Sequence, residues 1–279
     1  MNRRKFLITA IALGVIGCAP SATEAAPFQP TRFSVQVQGR GPDVILIPGL
    51  TAGREVWQAT ARAVPGYRYH LIQVSGFAGE PVRGNAEGAV VVPLADEIAH
   101  YIADRHLDRP AIVGHSMGGT VAMMIGARRP DLVGRIMVVD MLPQPAGLLG
   151  GSAADFGPLA DSLRGMLDSE GGRRLFASIL GSFSPPEAAN SRSDPDVVAR
   201  SMHELARIDL TGDLRRLRGL TVVYASPDRT ARANIDRTFT SAYAQAPGAR
   251  LVRIDNSGHM IMLDQPVRFR QVLNEFLGG

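Results

Sequence analysis

Three short stretches of the chain contain side chains that could together perform nucleophilic catalysis. Ser116 lies in Val-Gly-His-Ser-Met-Gly-Gly at residues 113–119, His259 follows Asn-Ser-Gly, and Asp228 follows Ala-Ser-Pro. A serine hydroxyl becomes a good nucleophile only beside a base, and a carboxylate orients an imidazole base. These residue types predict Ser116 as nucleophile, His259 as base and Asp228 as the orienting acid.

The glycines around Ser116 fit a sharp turn between a strand and a helix. Gly114 and Gly118 complete a Gly-x-Ser-x-Gly pattern, with an apolar run before it and an Ala/Met-rich segment after it. Larger side chains would collide in such a turn, which raises the serine hydroxyl above the sheet. The alternative, that Ser116 is only a small turn residue, leaves the positions of His259 and Asp228 after predicted strands to coincidence.

The elements that must position these residues follow from the hydrophobic pattern. Residues 33–38 alternate with period two, as in a half-buried edge strand, and most of the later runs are continuously apolar, as in buried strands. The predicted strands are 33–38, 43–47, 69–74, 110–114, 135–139, 220–224 and 249–254, and the predicted helices are 56–63, 93–105, 120–128 and 266–277. Alternation of the two predicts an α/β fold, a mostly parallel central sheet flanked by helices.

Catalytic groups in open α/β sheets gather at the carboxyl ends of the strands. Ser116, Asp228 and His259 each follow a predicted strand in that position. Residues 143–215 interrupt the alternation with Gly, Ser, Pro and Arg and then helical patterns. This segment is longer than a normal connection between two strands, so it predicts a helical insertion that acts as a lid. A separate small domain is the alternative.

The first 26 residues have the layout of an export signal, and residues 27–279 are predicted as the folded domain. The basic Arg3-Arg4-Lys5 precedes a short apolar run and then small residues. Arg3 to Leu7 resembles the twin-arginine motif, and Val15 to Cys18 resembles a lipobox, in which Cys18 would carry a lipid anchor. These features predict a protein that is periplasmic, membrane-anchored or secreted.

Composition argues against several classes of function. The sequence pI is near 9.7, but Lys5 is the only lysine, and loss of residues 1–17 would remove three positive charges and no acid from a net charge of +4. No basic run with interleaved aromatic residues suggests nucleic-acid binding. No His, Cys and carboxylate set has metal-ligand spacing, and no cofactor is implied. Cys18, the only cysteine, excludes a disulfide within the chain.

Together these motifs resemble the α/β-hydrolase superfamily over about residues 33–277. The resemblance is carried by VGHSMGG, RPDLV, VVD and SGHMIMLDQP at residues 113–119, 129–133, 138–140 and 257–266. It implies a Ser116–His259–Asp228 triad beneath a lid, with an oxyanion hole formed by the backbone N–H groups of Leu50 and Met117. Asp140 is the rival acid, because some family members carry it after that strand, and Ala225 stands where many carry glycine.

The resulting hypothesis is an exported serine hydrolase that cleaves carboxylic esters of small or medium acyl chains. Met141, Leu142 and Met260 flank the proposed site residues and are candidates for lining an acyl pocket. The expected partner is a small-molecule ester; the sequence does not indicate an oligomeric state. Two alternatives remain: a carbon–carbon bond or lactone hydrolase with the same triad, and a non-enzymatic small-molecule receptor on the same fold.

Overall fold

The computed structural model describes residues 28–149 and 192–278. The predicted export signal with Cys18, and the middle of the predicted lid insertion, lie outside these residues. Seven strands are described: β1 Phe33–Gly39, β2 Asp43–Ile47, β3 Arg68–Val74, β4 Ala111–His115, β5 Arg135–Val139, β6 Leu220–Ser226 and β7 Arg250–Asp255. The described α-helices are α1 Glu55–Ala63, α2 Val91–Asp104, α3 Met117–Arg128, α4 Pro195–Arg207, α5 Arg232–Ala242, α6 Ile261–Asp264 and α7 Pro266–Gly278.

The strands form one sheet in the order β1-β3-β2-β4-β5-β6-β7. β1 pairs antiparallel with β3, and every other neighbouring pair is parallel. The predicted mostly parallel sheet, with the strand at 33–38 at its edge, is confirmed. Because β4, β5, β6 and β7 are neighbours and parallel, the residues that follow them meet at one edge of the sheet.

The two faces of the sheet bury separate apolar clusters. In β2, Ile45 and Ile47 join the cluster under α2 and α3, while Val44 and Leu46 join the cluster under α1 and α7. Successive side chains of a strand point to opposite faces, so a continuous apolar run is required where both faces are covered by helices. This explains why β2 carries no polar residue after its first position.

Helix α5 and the short helix α6 have no counterpart in the sequence prediction. Phe239 is the only fully buried residue of α5, so the segment lacks the apolar stripe by which an amphipathic helix is recognised. Helix α6 is a single turn of four residues, too short to show a period. The formation of α5 and α6 therefore depends on their packing against the sheet and not on the hydrophobic pattern of their own residues.

Helix α3 lies almost entirely inside the protein and approaches the sheet closely. A methyl group added at Gly118 would lie 2.3 Å from the Ile47 carbonyl oxygen, and one added at Gly114 would lie 2.0 Å from the Gly118 carbonyl oxygen. Backbone atoms cannot move aside as a flexible side chain can. The glycines of Gly-x-Ser-x-Gly are therefore required by the contact between the helix start and strands β2 and β4.

Helix α4, in the C-terminal part of the predicted insertion, is fastened to the body of the domain by hydrogen bonds. The Glu204 carboxylate accepts hydrogen bonds from the backbone N–H groups of Val90, Val91 and Val92 at the start of α2, the last two at 3.1 and 3.2 Å. Arg200 donates to the Asn85 carbonyl at 2.6 Å. The Glu204 carboxylate thus accepts hydrogen bonds from the first N–H groups of α2, which have no partner within that helix.

Among the described residues, no helix has both the length and the apolar character needed to cross a bilayer.

Replacing Gly118 with alanine is expected to destabilise the fold. The added methyl group would overlap the Ile47 carbonyl, and overpacking of this kind costs about 1–3 kcal/mol. The matched control is Gly212→Ala, because nothing lies within 4 Å of a methyl group there. Urea unfolding followed by circular dichroism should show a lower midpoint for Gly118→Ala only. Equal midpoints for the two variants would contradict the close contact.

Candidate active site

Ser116 lies at the turn between β4 and α3 in a backbone conformation that serine rarely adopts. Its φ is 51° and its ψ is −122°. Such a conformation costs on the order of 1–3 kcal/mol and persists only where the surroundings hold it. The Ser116 N–H donates to the Val139 carbonyl at 2.9 Å, and the Ser116 carbonyl accepts from Gly119 N–H at 2.7 Å. The predicted strand–turn–helix context of Ser116 is confirmed.

The loop after β2 lies directly against this turn. A methyl group added at Gly49 would lie 3.1 Å from Ser116 Cβ. Leu50 follows in the same loop, half-buried, and Met117 begins α3. The first N–H groups of a helix have no partner within the helix, and Met117 is the first residue of α3. The Leu50 and Met117 backbones are thus both adjacent to the serine.

His259 lies in the loop between β7 and α6, and the structure pairs it with Asp140. The His259 Nδ1 atom is 2.7 Å from Asp140 Oδ2. Since a carboxylate only accepts, this hydrogen bond favours the tautomer with the proton on Nδ1 and leaves the Nε2 lone pair free to accept a proton. The His259 side chain is 30% exposed to solvent.

Asp140 directly follows β5 and is held by a second hydrogen bond. Its N–H donates to the Val223 carbonyl at 2.7 Å, and its Oδ1 accepts from the Ala225 N–H at 2.9 Å. The side chain is 12% exposed. Both carboxylate oxygens are therefore engaged, one with the β6 backbone and one with the imidazole, which fixes the direction in which the ring points.

The geometry does not support the prediction that Asp228 orients His259, because Asp140 lies at the imidazole instead. Asp228 is exposed, and its Oδ1 accepts from the Thr230 N–H at 2.7 Å, the Thr230 hydroxyl at 2.6 Å and the Ala231 N–H at 2.9 Å. The Thr230 hydroxyl, followed by these N–H donors, lowers the pKa of Asp228. Its carboxylate stabilises the turn before α5, and none of the described hydrogen bonds or ion pairs joins it to His259.

A signal for this difference is present in the sequence. Asp228 is followed two residues later by a threonine, the spacing at which aspartate forms a local turn with its own backbone. Asp140 comes directly after an apolar strand, without an intervening residue, and that strand neighbours the one before Ser116. The structure thus brings Asp140 rather than Asp228 to the base.

His115 also takes part in the arrangement. The side chain is buried, its Nε2 lies 2.9 Å from the His259 carbonyl oxygen, and the two imidazole ring centroids are 4.6 Å apart. Because His115 directly precedes Ser116, this contact places the His259 loop beside the serine turn. Burial, together with the nearby His259, lowers the pKa of His115 to about 3.

The candidate pocket residues are buried but do not form one patch. Met141 and Leu142 belong to the cluster under α2 and α3, while Met260 belongs to the cluster under α1 and α7. A methyl group added at Gly119 would lie 3.3 Å from Met141 Cβ, so Met141 lies near the start of α3.

Within the described ranges, no group of three or more His, Cys, Asp or Glu side chains could hold a metal ion.

Comparison with known proteins identifies relatives along most of the chain. Pimeloyl-[acyl-carrier protein] methyl ester esterase of Aeromonas hydrophila is 25% identical over 264 residues, covering 88% of this chain and 99% of that protein. The sn-1-specific diacylglycerol lipase of Mus musculus is 24% identical over 266 residues, covering 85% of this chain and 81% of that protein.

Solved structures share the fold at lower identity. The enol-lactonase from Burkholderia xenovorans superposes with a TM-score of 0.69 at 17% identity, covering 89% of this chain and 97% of that one. A thermophilic esterase from Thermogutta terrifontis gives a TM-score of 0.69 at 21% identity, covering 88% and 92%. The sequence matches the alpha/beta hydrolase family over residues 44–272. The chain is a member of the alpha/beta hydrolase family.

Proposed function

We propose that this protein is an exported serine hydrolase that cleaves carboxylic esters through Ser116, His259 and Asp140. The observation that carries the proposal is the 2.7 Å hydrogen bond between His259 Nδ1 and Asp140 Oδ2. The loop that contains His259 also contacts His115, the residue before Ser116. An imidazole oriented by a carboxylate, beside a serine in a strained turn, is the arrangement that nucleophilic acyl transfer needs.

In the proposed mechanism, His259 Nε2 removes the proton from Ser116 Oγ as the oxygen attacks the ester carbonyl. The tetrahedral intermediate collapses when the imidazolium protonates the leaving alcohol, and an acyl-enzyme remains. Water then attacks the acyl group with His259 again acting as base, which releases the carboxylic acid and restores the serine. Asp140 keeps the imidazole in its productive tautomer and stabilises the imidazolium that forms.

The proposed oxyanion hole consists of the backbone N–H groups of Leu50 and Met117. The loop carrying Leu50 packs against Ser116 through Gly49, and Met117 begins the helix whose positive end faces the serine. Backbone donors fixed before the reaction stabilise developing negative charge without reorganisation. A side chain at position 49 would separate the two donors, which is consistent with the glycine there.

Support for an ester as substrate comes from the relatives, whose names describe a methyl ester esterase and a diacylglycerol lipase. Met141 and Leu142 lie directly after Asp140 and are apolar and buried. Methionine adapts its shape to a bound apolar group, so we propose that these two side chains contact a small or medium acyl chain. Met260, in the other apolar cluster, is proposed to support the His259 loop instead.

Replacing Ser116 with alanine should abolish turnover. For a triad nucleophile the loss in kcat is about 10⁴- to 10⁶-fold. The measurement is hydrolysis of p-nitrophenyl esters from acetate to laurate by the parent and the variant, whose circular dichroism spectra should agree. A folded parent protein without activity on any member of the series would remove the esterase proposal and favour a lactone or carbon–carbon bond hydrolase or a receptor.

Exchange of the two candidate acids for asparagine separates their roles. Asp140→Asn should lower kcat about 10³- to 10⁴-fold, because asparagine no longer selects the Nδ1–H tautomer or stabilises the imidazolium. Asp228→Asn, the matched control, should change kcat less than about twofold, since its carboxylate bonds only its own turn. The opposite ranking of the two variants in steady-state kinetics would restore Asp228 as the acid.

Export is proposed from the pattern of residues 3–18, and can be tested in cells fed radiolabelled palmitate. The expected product is a shortened chain outside the cytoplasm, and Arg3→Lys combined with Arg4→Lys should retain the full-length chain inside. A labelled product that starts at Cys18 indicates a lipid anchor, whereas an unlabelled product that starts at Ala26 indicates simple cleavage. Full-length protein in the cytoplasm would contradict export.

A further inference from the structure

His115 is a buried titratable side chain that the proposed mechanism does not use. It is the last residue of β4, directly before Ser116, and it is 2% exposed. On one side its Nε2 atom is 2.9 Å from the carbonyl oxygen of His259. On the other side, a methyl group added at Gly49 would lie 2.8 Å from its Nδ1 atom. One imidazole therefore contacts both loops that border the serine.

The chemistry of this contact fixes the state of His115. A carbonyl oxygen only accepts, so the proton of the neutral ring must be on Nε2. The low pKa of His115 keeps its ring neutral near neutral pH. A neutral donor can hold the His259 backbone without placing a second positive charge beside an imidazole that must itself become positive during turnover.

As simple packing material, histidine is a poor choice at this position. Its Nδ1 is buried and has no hydrogen-bond partner among the described atoms. A buried, unsatisfied acceptor destabilises the folded state, and an apolar side chain of similar size would avoid that cost. The feature that a histidine provides and a phenylalanine does not is the Nε2–H bond to His259.

The His259 loop needs such a restraint at the histidine itself. Its other described hydrogen bonds lie on either side of that residue. Before it, Gln265 donates to the Asn256 carbonyl at 2.7 Å, the Ser257 N–H to the Ser226 carbonyl at 3.3 Å, and the Gly258 N–H to Asp264 at 2.8 Å. After it, the Met260 carbonyl accepts from the N–H groups of Leu263 and Asp264 at 2.8 and 3.0 Å. Asp140 holds the imidazole ring at Nδ1. A second restraint at the backbone of His259 is what determines where Nε2 points.

We propose that His115 is a positioning residue, whose Nε2–H bond to the His259 carbonyl holds the base so that its Nε2 faces Ser116 Oγ. The inference rests on the proposed function, because it assigns His115 a task within the same site. It makes His115 neither a second base nor a group that touches the substrate.

The test compares His115→Phe with His115→Gln. Phenylalanine fills the space without a donor, whereas the glutamine amide can place an N–H near the position of the histidine Nε2–H. His115→Phe should lower kcat about 10- to 100-fold and change KM less than about twofold, since a base displaced by about 1 Å loses on the order of 10² in rate. His115→Gln should recover most of the lost kcat.

Val113→Ala serves as the control for a general loss of packing. Val113 is fully buried in the same strand and lies outside the described hydrogen bonds of the His259 loop. This variant should unfold at a lower urea concentration and keep the parent kcat. The positioning role is wrong if His115→Phe keeps the parent kcat. It is also wrong if His115→Gln does not restore kcat and Val113→Ala lowers kcat as much as His115→Phe does.

A spectroscopic measurement keeps this test separate from the esterase proposal. The proton shared by His259 Nδ1 and Asp140 should give a low-field proton resonance in the parent protein. His115→Phe should broaden or shift that signal, and both His115→Gln and Val113→Ala should retain it. An unchanged signal in His115→Phe overturns the positioning role even if the protein hydrolyses no ester, whereas inactivity of the parent alone overturns only the function.

Discussion

The close approach of helix α3 to strands β2 and β4 is the constraint on which the site depends. Gly118 lies against the Ile47 carbonyl, and Gly114 lies against the backbone of the helix start. This contact forces the reversal of the chain into one residue, and that residue is Ser116, at a φ of 51°. Core packing on both faces of the sheet supplies the stability that offsets the strained conformation. The reactive geometry is thus a product of backbone packing.

Asp140 connects this turn to the other half of the sheet. It follows the strand that neighbours β4, bonds the backbone of β6 through one oxygen, and bonds His259, which follows β7, through the other. One carboxylate therefore ties together elements from three consecutive strands. A buried carboxylate is acceptable here because both oxygens have donors, whereas an unbonded one would be costly to bury. The base is held by the same bonds that hold the strand ends together.

The sequence predicted the sheet, its parallel pairing, the edge strand and the strand–turn–helix context of Ser116, because continuous apolar runs and glycine spacing are local signals. The choice between Asp228 and Asp140 was only partly local: the threonine two residues after Asp228 indicates a turn, but both acids follow strands that end at the same edge, and the packing of the sheet determines which carboxylate reaches His259. The bond from His115 joins residues 144 positions apart in the chain, and no period or motif marks it. Helix α5 was missed since Phe239 alone gives it a buried face.

The attachment of helix α4 through Glu204 and Arg200 has a consequence for how the domain opens. Moving α4 away from the body would remove the acceptor from the N–H groups of residues 90–92 and expose the start of α2 to water. It would also uncover Gly76, against which Val197 packs. Amide protons of α4 and of the first turn of α2 should then exchange with solvent deuterium together, as one cooperative unit.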